Sequence, residues 1–351
     1  MLFQEPTIPH FVQRAFDVSI SDATIVSGGF SGAAVFRATT DDGRELAVRR
    51  TPQLIALPSG RLSELHHLLR EMSRRGCGTI AVPILATSAL SSPIESWLKY
   101  YENVWQIEPW MPGACLLGQE MTSLHLSAAL GALGQFHRLA AESVDAVSSS
   151  EWFYKAQRRS PAVQRRLSIA NDLSVEMLGI LRQKLSNDSD PRFRGLAIRV
   201  CDSLQKWLPW LIRELTDVAA VPFHLQPVLR DVWRAHVLFT NSSVTGLIDL
   251  TAAASDHVAL DVARLLRSWY GADNAKIQLA VEEFQRLRNF NANERRLLQA
   301  FDASTVLLSP VTWLRRRVNS EETAACSDDV IARLTELTDV VEKFSRLQYR
   351  L

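Results

Sequence analysis

The sequence predicts an α+β protein: an antiparallel sheet with one helix, followed by a mainly helical part that carries a β-hairpin. Three observations predict it. Asp42-Gly43 separates two alternating apolar runs, a strong hairpin signal, and a glycine-rich stretch precedes them. After Ser123 the apolar residues recur with helical spacing. One later stretch, Val228 to Leu250, turns β-prone again and reads V-L-R-D-V-W-R-A-H-V-L-F-T-N-S-S-V-T-G-L-I-D-L. The expected division is a sheet-rich part over 1–108 and a helical part over 109–351.

Composition sets outer bounds. The chain of 351 residues is 47% apolar and 22% charged with a net charge of +1. No whole-chain field favours nucleic acid or an anionic membrane. The longest apolar runs are too short and too interrupted to span a bilayer. The opening M-L-F-Q-E-P-T-I-P-H lacks the basic and apolar regions of a signal peptide, so a cytoplasmic protein is expected. Cys77, Cys115, Cys201 and Cys326 are scattered and form no C-x-x-C pair, which suits reduced thiols.

Pro9 to Phe16 reads as a short helix, and Thr24 opens the β region. Gly28, Gly29, Phe30, Ser31 and Gly32 then fall between two strands. Rossmann and Walker loops open a helix instead. A glycine turn between strands suits a flap that lays backbone N–H groups over phosphates, with a plain hairpin as the bland alternative. E-L-A-V-R-R (45–50) is the next strand, with Arg49 and Arg50 on opposite faces. Arg61 to Gly76 is an amphipathic helix stopped by its glycine, with His66 and His67 expected on its surface. Ala81–Leu85 and Val104–Glu108 read as strands. Leu126–Ala141 is strongly helical, and Ser148–Asp190 is charge-rich and helical. Helices over Leu204–Val218, Asp261–Trp269, Lys276–Leu287, Asn293–Trp313 and Ser327–Leu347 complete the chain, with Trp207, Trp210, Trp269 and Trp313 as expected core.

The chemistry concentrates in the late β-prone stretch. His236–Phe239 and Val244–Ile248 form a hairpin through Thr240–Ser243, with Asp231 before it and Asp249 just past it. An antiparallel hairpin returns its two ends to one side, where Asp231, His236 and Asp249 can converge. Phosphoryl transfer needs one carboxylate to take a hydroxyl proton and others to hold the metal ions that neutralise phosphate. Kinases place the first metal-side residue five positions after the catalytic Asp and a second Asp past the next strand. His236 and Asp249 occupy those places. A metal-dependent hydrolase would use the same three residues but give the glycine loop no purpose.

These residues resemble the aminoglycoside phosphotransferase and choline kinase-like family, which has a protein-kinase-like fold of two lobes. The family pattern H-G-D-x-x-x-x-N-V-L-(turn)-G-x-I-D-F is similar to L-R-D-V-W-R-A-H-V-L-F-(turn)-G-L-I-D-L here. Leu229 and Arg230 stand for His-Gly, His236 for Asn and Leu250 for Phe. S-D-H-V-A-L-D-V-A (255–263) resembles G-D-P-x-x-D-L-A with one extra residue, aligning Asp256 and Asp261. The resemblance implies ATP-dependent phosphorylation of a small-molecule hydroxyl. Asp231 would be the base, with Asp249 and His236 as metal-side residues for Mg²⁺. The imidazole leaves Mn²⁺ as an alternative, or a role for His236 in orienting Asp231.

The same resemblance puts Arg49 at the family's phosphate-contacting lysine, oriented by Glu64, with Glu71 as the alternative. It makes Glu108–Gly113 the hinge, whose backbone would hold adenine and whose Trp110 and Met111 would flank the base or pack. The basic run Lys155–Arg166 would wall the acceptor. Three departures (Arg49, His236, Leu229-Arg230) keep a pseudokinase, a nucleotide-binding scaffold without turnover, as the alternative function.

Overall fold

The computed structural model describes residues 7–26, 32–87, 95–146, 151–173, 175–319 and 326–344. In chain order the elements are helix α1 (His10–Ala15), strands β1 (Ile20–Val26), β2 (Ala34–Thr40) and β3 (Glu45–Pro52), helix α2 (Ser59–Arg74), and strands β4 (Leu98–Tyr100) and β5 (Asn103–Pro109). There follow α3 (Ser123–Ser143), β6 (Ala156–Arg159), α4 (Pro161–Asp172), α5 (Val175–Ser186), α6 (Pro191–Ala219) and β7 (Pro222–Val228). The hairpin strands β8 (Val237–Thr240) and β9 (Ser243–Leu247) lead to β10 (Ala254–Asp256), then α7 (Ala259–Tyr270), α8 (Asn274–Leu287), α9 (Ala292–Asn319) and α10 (Asp328–Glu342).

The chain packs as two compact units. One comprises Met1–Leu116, Gln135–Tyr154 and Ala235–Ala253; the other comprises Leu117–Gly134, Lys155–Arg234 and Ala254–Leu351. The architecture is α+β, as the sequence predicts.

The first unit is built on an antiparallel sheet in the order β1-β2-β3-β5-β4. Strand alternation sends Leu46 and Val48 to one face, where they join Val12, Phe16, Phe36, Trp105 and Ile107 in a buried core. Arg49, Gln106 and Glu108 have the opposite parity, and Arg49 pairs with Gln106 across the strands. Helix α2 buries Leu62, Leu65, His66, Leu68, Leu69 and Met72, and stops where Gly76 takes a φ of +92°. The hairpin β8-β9 belongs to this unit. Leu247 N–H donates to Thr79 O at 2.6 Å, and Phe239 and Ala114 exchange backbone bonds at 2.8 and 3.0 Å.

The second unit is a helical assembly with a small sheet in the order β10-β7-β6. Its core centres on α7 and α9, through residues such as Leu265, Leu266, Leu297, Leu298 and Phe301. Helices α4 and α6 begin with a proline behind a capping residue. Ser160 accepts from Val163 N–H, and Asp190 from Arg192 and Phe193 N–H.

Several sequence expectations need correction. Ala81–Leu85 forms no strand; it carries Pro83, which has no N–H to donate, and is held through single bonds such as Ile84 N–H to Ile107 O at 2.8 Å. Residues 156–159, expected as helix, are strand β6, drawn into an extended conformation by backbone pairing with β7. The β7 strand itself went unpredicted, its sequence interrupted by Pro222 and Pro227. His236 ends a 3₁₀ turn just ahead of β8 rather than starting the strand. Of the four core tryptophans expected, only Trp269 is buried; Trp207, Trp210 and Trp313 are half-buried, and the first two pack edge-on and tilted against Phe344. His66 is not on the surface. Its ring is buried and lies 2.8 Å from Ser96 Oγ.

Candidate active site

In the first unit the hairpin and the sheet meet at Asp249. Two residues past β9, Asp249 has φ of +56° and ψ of +58°, a left-handed conformation unusual for a non-glycine residue. Arg49 Nη2 lies 3.0 Å from Asp249 Oδ1, His236 Nε2 lies 3.8 Å from Oδ2, and Thr251 Oγ1 donates to Oδ1 at 3.0 Å. Burial alone would push the Asp249 carboxyl up, but Arg49, His236 and Thr251 together hold it below the usual carboxylate range. Glu108 stands nearby on β5. Burial pushes its carboxyl up to about 7, with Arg49 opposing and Asp249 reinforcing the rise.

The strand register thus directs Arg49 toward Asp249, as the alternation predicts. Helix α2 supports the segment after Asp249: Arg61 Nη2 donates to Ala252 O and Ala253 O at 3.2 and 3.1 Å. Sequence reasoning missed Arg61 and Thr251, since nothing local marks a residue whose partner lies across the unit. Glu71, the alternative partner for Arg49, is engaged on its own helix by Arg74 and His67. Glu64 sits one turn inside α2.

The expected hinge docks onto the hairpin. Gly113, at φ +103°, approaches so closely that a side-chain carbon would lie 2.6 Å from Phe239 O and from Thr245 Oγ1. Thr245 Oγ1 donates to Pro112 O at 2.7 Å. Met111 packs on Gly246, where an added carbon would stand 2.9 Å from its Cβ. Trp110 N–H donates to Glu45 O at 3.0 Å, and Arg37 lies 5.0 Å from its ring centroid. Of the glycine flap, Gly28, Gly29, Phe30 and Ser31 lie outside the described residues; Gly32 has φ of +77° at the entry to β2, and β1 pairs with β2 around the loop.

Asp231 belongs to the second unit, in the loop between β7 and β8. Its carboxylate is half exposed and receives a hydrogen bond from Arg264 Nη2 on α7. The loop is fixed from beneath. Asp261, wholly buried at the start of α7, accepts the backbone N–H groups of Leu229 at 2.8 Å and Arg230 at 2.7 Å. Arg230 therefore turns through φ +65° immediately before Asp231. Asp256, also buried, accepts from Ser160 Oγ at 2.6 Å, Ala162 N–H at 2.8 Å and its neighbour His257 N–H at 2.8 Å. Both acids of the later motif are thus positioning groups bound to backbone. Arg264 was missed in the sequence; its only signal is a position one turn after Asp261 on the same helix.

Among the described residues no group of three or more His, Cys, Asp or Glu side chains can hold a metal ion. Asp249 and His236 supply two donors on a partly buried corner. One carboxylate and one imidazole fit a divalent ion that accepts nitrogen as well as oxygen ligands, such as Mn²⁺, better than they fit Mg²⁺, which prefers oxygen alone.

The sequence profile of the APH phosphotransferase enzyme family matches residues 22–301, and the chain belongs to that family. No curated protein matches its sequence. Among solved structures it resembles an aminoglycoside phosphotransferase from Alicyclobacillus acidocaldarius, with 17% identity, 97% of this chain and 94% of that one covered, and a TM-score of 0.63. It also resembles the amicoumacin kinase hAmiN in complex with AMP-PNP, Ca²⁺ and Ami, at 11% identity over 95% and 92% of the two chains and a TM-score of 0.63. A spectinomycin phosphotransferase in complex with ADP and spectinomycin matches at 10% identity over 95% and 97%, with a TM-score of 0.63. At such identities these neighbours establish the kinase-like fold. Among the described residues no helix is long and apolar enough to cross a membrane.

Proposed function

We propose that the chain transfers the γ-phosphoryl group of ATP to a hydroxyl of a small molecule. The observation that carries this is the Arg49–Asp249 pair, which joins the third strand of the sheet to the residue just past the hairpin. Arg49 is the phosphate-contacting cation, and its planar guanidinium can bind two phosphate oxygens at once. Gly28, Gly29, Phe30, Ser31 and Gly32 cover the phosphates, Glu64 orients Arg49, and Glu108, Trp110 and Met111 bound the base. Asp249 and His236 hold a divalent ion, Mg²⁺ or, favoured by the imidazole, Mn²⁺, which neutralises phosphate charge when bound.

Asp231 is the general base, and the backbone bonds to Asp261 hold it in place. In the transfer, the acceptor oxygen bonds to the γ-phosphorus and its proton passes to Asp231. The bond from phosphorus to the bridging oxygen breaks, and its electron pair leaves with ADP. The reading assigns nucleotide binding to 1–108 and catalysis and acceptor binding to 109–351. That functional division crosses the packing units, because the hairpin packs with the first. The four cysteines are free thiols, which suits the ATP-supplied cytoplasm.

The test is ATP consumption in the presence of an acceptor. Asp231→Asn is expected to lose about a hundred-fold or more in rate, the scale of a general-base loss. Undiminished turnover in that variant removes Asp231 from this role. One observation favours a second reading. Asp249 is already engaged by Arg49, Thr251 and His236, as in a nucleotide-binding scaffold without turnover. Tight AMP-PNP binding with no ATP consumption in the wild type would establish it.

A further inference from the structure

The second unit contains a cavity of about 350 Å³ whose walls come from the Asp231 loop and from α7, α9 and α10. Its size falls in the range of small-ligand sites. Trp233, Trp269 and Tyr270 supply aromatic surface, while Arg234, Arg264 and Arg333 supply guanidinium groups. Arg264 is shared: it lines the cavity and donates to Asp231. The loop is pinned to the same wall, since Arg234 N–H donates to Ser268 Oγ at 2.8 Å and Arg234 Nη1 to Ser268 O at 2.9 Å.

Four guanidiniums line the cavity, with Glu336 and Asp339 as its acids; Arg264 pairs with Asp231 and Arg267 with the buried Asp302, which leaves Arg234 and Arg333 to share one carboxylate. Glu336 alone serves two of them, taking Arg234 Nη2 at 2.9 and 3.0 Å and Arg333 Nη1 at 2.8 Å. Arg333 and Arg234 also flank Trp233, at 4.8 and 5.7 Å from its ring centroid. Burial lowers the Arg333 guanidinium; Glu336 opposes, and Arg234 and Arg264 add to the lowering. Arg166, stacked 5.2 Å from the Phe301 ring centroid, is pushed down to about 9 by burial and then by Arg264. With Arg234 and Arg333 sharing the one carboxylate of Glu336, this wall keeps a cationic character that attracts an anion, and the aromatic walls suit a ring system.

We propose that this cavity binds a small hydroxyl-bearing aromatic anion, whose carboxylate, phosphate or sulfonate is held by Arg264 and Arg333, and that this molecule is the acceptor. The acceptor assignment rests on the phosphotransfer reading; the anion selectivity of the cavity does not. Arg264 links the two, because a ligand anion it holds lies next to the carboxylate it also holds. A polycation of the aminoglycoside kind meets repulsion there.

The full chain is titrated with the fluorescent aromatic anion 1-anilinonaphthalene-8-sulfonate and with its neutral counterpart, N-phenyl-1-naphthylamine. The anion is expected to bind more tightly. Arg333→Gln should weaken the anion about ten-fold and leave the neutral dye within two-fold, while Arg333→Lys retains most of the affinity. Should Arg333→Gln fail to fold, raising salt on the wild type replaces it, and only the anion's affinity should fall. Equal binding of the two dyes, or an unchanged anion affinity in folded Arg333→Gln or at high salt, overturns the proposal. So does efficient phosphorylation of a kanamycin-type polycation. AMP-PNP titration reads the nucleotide separately: if it fails while the dyes discriminate by charge, the phosphotransfer reading falls and the anion cavity stands.

Discussion

Asp249 and Asp231 are both acids at the margin of a β-element, yet the molecule treats them oppositely. Asp249 is clasped by side chains, with Arg49, His236 and Thr251 all turned onto its two oxygens. Asp231 is half exposed with Arg264 on one oxygen, and its position is set through the main chain, by the buried Asp261 holding Leu229 and Arg230. The first arrangement fixes a charge in place. The second fixes a backbone and leaves the carboxylate accessible. A residue that binds charge tolerates the first, and a residue that must accept a proton needs the second.

The largest effect that can break this comparison is expected at Asp261. Asp261→Asn keeps the shape but turns an N–H donor toward one of two backbone donors. The variant should lose about 1–3 kcal/mol of stability, the scale of an unsatisfied buried group, and lose turnover with it. Urea unfolding checks the first and ATP consumption the second. Full stability in Asp261→Asn would mean that the loop before Asp231 is held by something else.

His66 gives the first unit a dependence on acid. Its ring is buried in α2, the helix whose Arg61 holds the segment after Asp249. Burial, and then Arg70, push its pKa down to about 3, with Gln106 opposing. Because the folded value lies below the ordinary value near 6.5, the neutral ring's contribution is complete above pH 6.5 and declines as pH falls toward 3. The slope is up to about 1.4 kcal/mol per pH unit. Melting curves of wild type and His66→Leu between pH 7 and 4.5 should converge toward acid. Parallel curves would show that His66 does not titrate with unfolding.

Arg49 and Arg50 sharpen the register argument. Arg49→Ala is expected to weaken ATP about ten-fold, about 1.4 kcal/mol, while Arg50→Ala leaves it nearly unchanged. Calorimetric titration of both variants decides it, and equal losses would contradict the assignment of faces. The smallest effect belongs to Arg230. A left-handed conformation costs a non-glycine residue about 1–2 kcal/mol, and glycine's extra freedom when unfolded returns part of that. Arg230→Gly should therefore raise stability by about 0.5–1 kcal/mol, and removing a charge beside Arg166 adds in the same direction. A lower melting temperature would mean that the Arg230 side chain holds the loop.

Much of the fold was legible because its signals are local. Asp42-Gly43 marks its hairpin, Asn241 enters the left-handed region in the β8-β9 turn, and Gly76 ends α2. His236 and Asp249 were legible from their spacing and Arg49 from the family resemblance, and the structure brings these three together. What was not legible depends on distant partners. The 156–159 segment becomes a strand only because β7 lies beside it, and β7 hides behind its prolines. His66 looks like a surface residue until Ser96 and Gln106 close over it. Arg264 has no motif; its role comes from α7 lying under the Asp231 loop.

The central claim is the division of labour between the two carboxylates, and nucleotide affinity tests it most directly. AMP-PNP with Mg²⁺ is titrated into wild type, Asp231→Asn and Asp249→Asn by calorimetry. Asp231→Asn should bind within about two-fold of wild type, while Asp249→Asn should lose about ten-fold or more, the loss of a charge-assisted contact. Equal affinities in the two variants, or a greater loss in Asp231→Asn, would contradict the account.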